Sequence, residues 1–515
     1  MMHWRNITMK NKEKEISIII TYIGLILGII IYFFVTPYAI KGLGKEYFGI
    51  YNLVYTIVSY FTVLDFGFGD AIIRYTSKYL TLKDFKKLAS INGLFIIIYL
   101  IIGIFSLLIG LLLINLSNNF FKALSTTELL TVKQMMKIAL VNIVLSFPLS
   151  IFVSILKGYG KFILAEIIHV LKLLLSPLSI LLGLFLGYKC VGIITIQTII
   201  NILVSLIPMI YCIFCLKIKF SKSSKDDICL IKEIFKFSFY VFLGLVVTKV
   251  FWSTDQLILG TFVGSFAVSI CSLVSQIVQY YSSITETITK PYLSIITKKI
   301  TLSKNKTIDF TDIFIKIGRI QFFLLLLIMS VFIIFGKEFI YLWAGEEFEQ
   351  VYYLTLLILI PFTVPGIQNI GVAILQAMNI HKFRAILYFS IAIINVFISI
   401  YLVKKYGIYG TTFGTVIALT LGHIIIMNIY YNKKLKLNLK TFWSNMLLIL
   451  IKMLPLLLFS FYFNKFLNVK ISWLTFILKC FVYSILYMII LYKFIINSSE
   501  KEIFKNLIII KKHTK

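Results

Sequence analysis

The residues of this sequence with the clearest chemical potential are charged and polar side chains inside long apolar runs. Lys249 lies well within one such run, and Ser253 and Gln256 follow it along the same helical face. An ammonium group at such depth is usually turned toward protein or water, because lipid does not solvate it. An anion such as a phosphate needs a cation of this kind before it can enter apolar surroundings. Lys249 therefore either lines an anion site with Ser253 and Gln256, or is held structurally by snorkelling or by pairing with Asp255.

A second polar face is predicted in the fifth apolar run. Glu166, His169 and Lys172 recur every three residues, which places them along one side of a helix. Glu166 and His169 are candidates for proton or ion coupling, and Lys172 is a second candidate cation for an anionic ligand. The alternative interpretation is a salt bridge that is satisfied within the protein.

Further candidate residues lie where predicted spans meet the cytoplasm. The stretch from Asp65 to Asp70 contains two glycines, which end or bend a helix at such a point. Asp70 and Arg74 are then one turn apart on a short amphipathic segment, where Arg74 either binds an incoming phosphate in bidentate fashion or pairs with Asp70. Glu286 and Lys290 end a later span at the same side, and with Asp65 and Asp70 they are candidates for a gate.

Long apolar segments must position these residues. The 515 residues are 60% hydrophobic and 14% charged, with a mean hydropathy of +0.96, whereas soluble domains carry about 25% charged residues. The apolar runs reach the roughly 20 residues that a helix needs to cross a bilayer. They lack the alternation of barrel strands, so an all-α, polytopic integral membrane protein is predicted. The predicted spans are about 16–36, 47–68, 89–115, 133–156, 162–187, 191–216, 234–254, 262–289, 317–336, 351–378, 385–403, 408–431, 442–463 and 471–493.

The distribution of positive charge predicts the orientation. Most of the 51 Lys and Arg residues fall in the loops that share a side with the N-terminus, and an excess of these residues marks the cytoplasmic side. Both termini are therefore expected in the cytoplasm. The net charge of +30 is explained by this location, so a nucleic-acid partner is not expected.

The chain also shows an internal repeat. The segment that begins at Leu43 lines up with the one that begins at Val263, and Gly192 lines up with Gly410, at an offset of about 220 residues. This offset maps span one onto span seven, an even number of crossings, so the two halves are predicted to be parallel repeats. We expect a six-helix bundle over residues 1–220, a second over residues 221–436, and two additional helices with a cytoplasmic tail over residues 437–515.

Signals of enzymatic, metal or cofactor chemistry are lacking in the sequence. The six cysteines are scattered without a ligand-type spacing, and no Gly-rich phosphate loop occurs. The longest loop, residues 290–319, contains no cluster of carboxylates or histidines. We therefore expect neither a cofactor nor catalysis.

Three stretches resemble a known family when they are taken in order. They are Leu43-Gly-Lys-Glu-Tyr-Phe-Gly-Ile-Tyr51 with the Asp65–Asp70 stretch and Arg74, then Ser253-Thr-Asp-Gln-Leu-Ile-Leu-Gly260, and lastly Leu375–Phe383 with Tyr406–Gly410. They are similar to the signatures of polysaccharide-export flippases in the multidrug/oligosaccharidyl-lipid/polysaccharide superfamily. The resemblance covers most of residues 10–431.

The resemblance implies two bundles around a central cavity, alternating access, and movement of a polyprenyl-diphosphate-linked oligosaccharide across the cytoplasmic membrane for cell-surface polysaccharide synthesis. Membrane lipids, and a polymerase and glycosyltransferases of the same pathway, are the partners that it implies. Two alternatives stay open, a flippase for a lipid-linked peptidoglycan precursor and a cation-coupled multidrug exporter of the same superfamily.

Overall fold

The computed structural model describes residues 2–221, 225–302, 309–378, 380, 382–466, 470–497 and 500–501. These residues form helices joined by short connections, and they contain no β-strand. The prediction of an all-α protein is therefore confirmed. The seventeen α-helices are α1 Met2–Leu43, α2 Lys45–Phe61, α3 Phe68–Thr81, α4 Phe85–Phe120, α5 Thr126–Gly158, α6 Phe162–Phe185, α7 Cys190–Phe214, α8 Lys225–Phe262, α9 Ser265–Leu302, α10 Thr311–Trp343, α11 Gln350–Ile367, α12 Asn369–Ala377, α13 Lys382–Tyr406, α14 Ile408–Ala418, α15 Met427–Leu435, α16 Leu439–Phe466 and α17 Trp473–Ile490.

Helix length and composition agree with a polytopic membrane protein. Among the described residues, 12 helical segments are long and apolar enough to cross a bilayer. The 38-residue helices α8 and α9 lie where the sequence predicts spans seven and eight. With these two helices the architecture is consistent with the predicted count of about fourteen spans.

The second predicted span ends at a sharp break in the helix. A 3-10 turn, Thr62–Asp65, follows α2, and then Phe66 and Gly67 adopt φ values of 51° and 73°. Gly67 takes this left-handed conformation without steric cost, and α3 begins directly after it. The break lies in the stretch whose two glycines predict it, and α3 is the short amphipathic segment expected there.

Later spans contain irregular turns that the apolar pattern does not predict. Span ten is divided at Gln368, after Pro361 and Pro365 have each removed a backbone donor from α11. Span twelve contains a π-helical segment, Leu419–Ile426, and span fourteen ends in another, Leu491–Ile495. Such π-helical turns are uncommon and occur frequently at functional sites.

The backbone divides into two compact units. Unit 1 comprises Met1–Ser272 with Ser399–Thr411, and unit 2 comprises Leu273–Ile398 with Thr412–Lys515. These units are drawn from spatial contacts and not from internal similarity. The predicted boundaries of two repeats and a C-terminal pair therefore stay a prediction.

Close packing of α1 on α6 positions the polar face of α6 in unit 1. A Cβ atom on Gly24 would lie 2.2 Å from a methyl carbon of Val170, and one on Gly28 would lie 1.8 Å from a methyl carbon of Leu173. Small residues four apart allow helix backbones in a membrane to approach closely. The surface of α1 thus fits against the α6 segment that carries Glu166, His169 and Lys172.

In unit 2, polar contacts attach the last two spans to α10. Both oxygens of Glu338 accept hydrogen bonds from Lys479 Nζ of α17, at 2.9 and 3.1 Å, and Oε1 also accepts one from Asn464 Nδ2 of α16 at 3.0 Å. Tyr487 of α17 donates to the Phe323 carbonyl of α10 at 2.8 Å. These contacts explain why span fourteen tolerates Lys479 among its apolar residues.

Candidate functional site

The signature stretch Ser253–Gly260 of α8 packs against α2 in unit 1. Gly260 lies against Leu53 of α2, where a Cβ atom would come within 3.0 Å of a Leu53 methyl carbon. One turn along α2, Thr56 donates a hydrogen bond to Gln256 Oε1. The two helices therefore run antiparallel here, and we call this contact the α2–α8 seam.

The seam continues toward Lys249. The hydroxyl of Tyr60 lies 2.7 Å from the Thr254 hydroxyl and 3.3 Å from the Lys249 carbonyl, to which it donates. Stacking of Phe66 on Phe242, with ring centroids 4.6 Å apart, extends the contact past the end of α2. The α2 side of the seam therefore fixes the backbone from which the Lys249 side chain extends.

The ammonium group of Lys249 lacks a countercharge in the part of the chain that the structure describes. The residue is half-buried, and within the described part of the chain its ammonium forms no ion pair, with Asp255 or any other carboxylate. Asp255 and Ser253 are also half-buried on the same helix. An unneutralised cation in a predicted span can attract an anionic ligand.

The polar face predicted on α6 divides into two arrangements. Glu166 accepts a hydrogen bond from Thr21 of α1 at 3.0 Å and forms an ion pair of 2.9 Å with Lys157. His169 Nδ1 lies 3.8 Å from the same carboxylate and is largely exposed. Glu166 is therefore neutralised by Lys157 from the end of α5. A salt bridge confined to the α6 face would instead have joined Glu166 to Lys172.

Lys172 is held by neutral groups. Its Nζ atom donates to the Ser205 hydroxyl of α7 at 2.7 Å, and among the described residues it forms no ion pair. One turn further along α6, Ser176 accepts from Gln197 Nε2 of α7 at 2.7 Å. Gln197 Oε1 accepts in turn from the Tyr51 hydroxyl of α2 at 3.0 Å. These bonds link α6, α7 and α2 into one polar layer of unit 1.

The residues predicted at the cytoplasmic end of span two have separate surroundings. Asp65 is half-buried and accepts a 2.5 Å hydrogen bond from the Tyr99 hydroxyl of α4. Asp70 and Arg74 are exposed on α3, and the Arg74 guanidinium lies 5.7 Å from the centroid of the Tyr75 ring. The structure thus places Asp65 inside the fold and Asp70 and Arg74 on its surface.

Two further candidates lie in unit 2. Glu286 and Lys290 are exposed on α9, one turn apart, with Lys290 Nζ 3.5 Å from Glu286 Oε2. An exposed pair of this kind is screened by solvent and contributes little to stability. Their proposed part in a gate stays a prediction.

Seven members of the polar layer and seam were not predicted as site residues from the sequence. They are Tyr51, Thr56, Tyr60, Ser176, Gln197, Ser205 and Thr254. Each is a hydrogen-bonding residue inside an apolar span, and such residues usually face the interior of a bundle, because lipid offers them no partner. That signal is present in the sequence, but it does not say which helix supplies the partner.

The described part of unit 1 therefore offers hydrogen-bond donors and acceptors in a layer, with two cations that no carboxylate neutralises. Such a set can bind an anionic and polyhydroxylated head group through charge-assisted and neutral hydrogen bonds. Among the described residues, no cluster of three or more His, Cys, Asp or Glu side chains is placed to hold a metal ion.

Comparison with protein families identifies one match. Residues 16–297 match the family described as polysaccharide biosynthesis protein. The matched segment is more than half of the chain. A search of curated proteins finds no significant match.

Solved structures with a similar fold are membrane transporters. The lipid II flippase MurJ in an inward closed conformation superposes with a TM-score of 0.70 at 18% identity, covering 93% of this chain and 99% of that one. An inward-facing multidrug resistance MATE family transporter has a TM-score of 0.61 at 16% identity, covering 81% and 99%. A MOP superfamily transporter from Pyrococcus furiosus, described as having a binding pocket of reverse polarity, has a TM-score of 0.52 at 17% identity, covering 81% and 96%. At these identities the likeness shows the fold.

Proposed function

This chain belongs to the polysaccharide biosynthesis protein family, and from that premise we propose that it is a flippase for a polyprenyl-diphosphate-linked oligosaccharide. The transport would run from the inner to the outer leaflet of the cytoplasmic membrane, by alternating access, and would supply cell-surface polysaccharide. The proposal gives the protein no catalytic step of its own. Both termini are then cytoplasmic, as the distribution of Lys and Arg predicts.

The observation that carries the proposal is the state of the two cations in unit 1. Lys172 is hydrogen-bonded only to a neutral hydroxyl, and Lys249 has no ion pair among the described residues. A diphosphate loses most of its hydration when it enters a membrane protein, and only cations and strong donors compensate that loss. Two ammonium groups without an ion pair among the described residues, in a unit that also contains a layer of amides and hydroxyls, suit a charged head group that carries sugars.

The same observation argues against an exporter of cationic drugs. A site for an amphipathic cation calls for carboxylates that are free to bind it. In unit 1, Glu166 is already paired with Lys157, and Asp65 accepts a hydrogen bond from Tyr99. Two of the carboxylates predicted for the site are thus already engaged, while Lys172 and Lys249 have no ion pair among the described residues. This balance disfavours a cationic substrate.

A second candidate is a flippase for a lipid-linked peptidoglycan precursor. Its support is the likeness of fold to the lipid II flippase MurJ, which extends over 93% of this chain. Such a substrate also presents a lipid-linked diphosphate to the protein, so the cations of unit 1 suit it equally. The attached sugar or peptide is therefore what an experiment must distinguish.

The test is complementation in two bacterial strains. One lacks its polysaccharide flippase, and the other is depleted of its peptidoglycan-precursor flippase. We expect this chain to restore surface glycan in the first and not growth in the second. The reverse pattern would replace the proposal with the second candidate, and failure in both strains by a chain that is inserted in the membrane would contradict both.

The role of Lys249 is tested in the rescued strain. We expect Lys249→Gln to lower surface glycan at least tenfold at equal membrane abundance, because the amide cannot replace the charge. Lys86→Gln removes an equal charge from an exposed position at the start of α4 and serves as the matched control. Equal rescue by Lys249→Gln and the wild type would remove Lys249 from the site.

A further inference from the structure

A cluster of arginine, tyrosine and histidine lies in unit 2. Arg384 lies in the first turn of α13, and its guanidinium is 5.2 Å from the centroid of the Tyr388 ring, one turn further along the same helix. The opposite partner of Tyr388 is His423, whose ring is stacked on it with centroids 4.1 Å apart and planes 25° apart. All three side chains are half-buried.

The guanidinium of this cluster has an unsatisfied donor. Arg384 Nε is buried and has no hydrogen-bond partner among the residues that the structure describes. Among the described residues, Arg384 forms no ion pair and no side-chain hydrogen bond, and its guanidinium lies over the Tyr388 ring. A cation over a ring face keeps its charge and uses none of its N–H groups in a hydrogen bond. A buried donor without a partner is costly, and a ligand that accepts its hydrogen bond would remove that cost.

The fold holds the cluster in place at an irregular point of the chain. His423 belongs to the π-helical segment Leu419–Ile426. The adjacent Gly422 lies so close to α13 that a Cβ atom there would meet the Ile391 side chain at 2.1 Å. Further along, the Phe383 and Tyr430 rings are stacked at 4.3 Å. Close packing on both sides thus sets the His423 ring against Tyr388.

We propose that Arg384, positioned by Tyr388 and His423, is a binding site for a phosphoryl group in unit 2. The guanidinium presents several N–H donors in a fixed planar fork, which matches the oxygens of a phosphate or diphosphate. The aromatic pair orients that fork without neutralising it. Arg384 lies at the start of a span that is predicted to leave the cytoplasmic side, where phosphorylated ligands are available.

The ligand has two possible sources with the same chemistry. One is the diphosphate of the transported lipid, an assignment that rests on the proposed function. The other is the phosphate of an anionic membrane lipid. The site itself is inferred from Arg384 and its surroundings, so it can stand if the proposed function falls.

The experiment measures binding to the purified full chain in nanodiscs of neutral phosphatidylcholine. The probes are radiolabelled inorganic diphosphate and a radiolabelled polyprenyl diphosphate, and phosphatidylglycerol is the competitor. We expect Arg384→Gln to weaken binding of both probes by about tenfold to a hundredfold, the range for a lost charge-assisted hydrogen bond. Arg384→Lys should lose less, because it keeps the charge but not the fork.

The matched control is Lys382→Gln, which removes the same charge from an exposed position two residues away. We expect it to bind both probes within about twofold of the wild type, whereas a nonspecific effect of charge would weaken it as much as Arg384→Gln. Equal weakening of binding by Lys382→Gln and Arg384→Gln would overturn the proposal. Binding by Arg384→Gln with the affinity of the wild type would also overturn it. Arg384→Lys keeps the test valid if Arg384→Gln folds poorly.

The remaining outcomes separate the site from the proposed function. Displacement of inorganic diphosphate by phosphatidylglycerol would support the site and assign it to a membrane lipid. Binding of inorganic diphosphate that depends on Arg384, without binding of polyprenyl diphosphate, would support the site and contradict the proposed function. If the wild-type chain rescues surface glycan but Arg384→Gln binds both probes as the wild type does, the proposed function would be supported and the site would be contradicted.

Discussion

Two arginines of unit 2 lie beside similar aromatic rings, but only one of them is paired with a carboxylate among the described residues. Arg319 and Arg384 each lie over an aromatic ring one turn further along the same helix, Phe323 at 5.5 Å and Tyr388 at 5.2 Å. Each is also associated with a π-helical segment. The difference between them is a carboxylate, Glu500, which is present beside Arg319 only.

Arg319 is enclosed by hydrogen-bond acceptors. Its Nε and Nη2 atoms donate to the two oxygens of Glu500 at 2.6 and 3.0 Å, and Nη2 also donates to the Ile495 carbonyl at 3.1 Å. Asn445 accepts from Nη1 at 3.1 Å. Arg319 and Glu500 are only 4% and 3% exposed. A cation enclosed in this way is structural, because each of its three nitrogens already donates within the protein and its charge is neutralised by Glu500.

The comparison teaches that neutralisation separates structural cations from candidate binding cations in this protein. The same distinction holds in unit 1, where Lys157 is paired with Glu166 while Lys172 and Lys249 have no ion pair among the described residues. A buried charge is tolerated without a countercharge only when something else compensates it. For these unpaired cations we propose that the compensation is a phosphorylated lipid.

The largest effect is expected at the paired arginine. Glu500→Ala should lower the free energy of unfolding by about 3–5 kcal/mol, because it leaves Arg319 buried without a countercharge. Denaturant titration of the full chain in mixed micelles measures this change. The double variant Arg319→Met with Glu500→Leu should recover most of the loss, since it removes both charges. A loss below about 1 kcal/mol for Glu500→Ala would mean that the pair does not stabilise unit 2.

A smaller effect is expected where the last span is attached to α10. Lys479→Met should lower the free energy of unfolding by about 1–3 kcal/mol, because Glu338 then keeps Asn464 as its remaining side-chain partner. The same titration measures it. Lys470→Met changes an exposed lysine just before α17 and should leave stability unchanged. Equal stability of Lys479→Met and Lys470→Met would show that Glu338 does not need its ammonium partner.

The aromatic support of Arg384 should have a moderate effect on binding and little on stability. His423→Leu removes a stacked ring worth about 0.5–1.5 kcal/mol, which corresponds to a loss of about twofold to tenfold in diphosphate affinity. His423→Phe keeps the stack and should bind within about twofold of the wild type. Identical losses in both variants would assign the effect to the imidazole nitrogens and not to the positioning of Tyr388.

The smallest effect is expected at an exposed ion pair. Lys337 Nζ lies 3.1 Å from Glu349 Oε1, with side chains 52% and 59% exposed. Solvent screens such a pair, so Lys337→Gln should change the free energy of unfolding by less than about 1 kcal/mol. A loss of stability as large as that of Glu500→Ala would mean that an exposed ion pair stabilises this protein as much as a buried one, which would contradict our account.

The helical type, the approximate count of about fourteen spans and their approximate limits could be predicted from the sequence. Hydropathy identifies the spans because lipid imposes a length and forbids unpaired backbone groups. The break after Asp65 was also predictable, since glycine has a distinct conformational preference. The kink at Gln368 and the two π-helical segments were not predicted, because they leave the apolar pattern unchanged.

The candidate site was only partly predictable. Lys172 and Lys249 stand out because charge is rare inside apolar runs, but their partners lie on other helices. Arg319 and Glu500 are 181 residues apart, and Tyr51 and Gln197 are 146 apart. Hydropathy shows that a residue is inside a span, but not which side chain of another span it will meet.

The pairing rule itself was accessible only from the structure. Arg319 and Arg384 are both single arginines near the start of predicted spans, and nothing in their immediate sequence separates them. The difference depends on Glu500, which follows the last span in the sequence and contacts Arg319 of α10 in the structure.

The sequence did contain a signal for a different contact between helices. The two glycines four apart in α1 are typical of helices that pack closely in a membrane.

The central claim is that a half-buried cation without a countercharge among the described residues binds a phosphorylated ligand, whereas a paired cation stabilises the fold. Its most direct test is to measure diphosphate binding and unfolding side by side for Arg384→Gln and Arg319→Gln. We predict that Arg384→Gln loses binding at about tenfold or more with its stability within about 1 kcal/mol of the wild type. Arg319→Gln should lose stability while its folded fraction binds normally. If both variants lost the same property, the distinction between the two arginines would be contradicted.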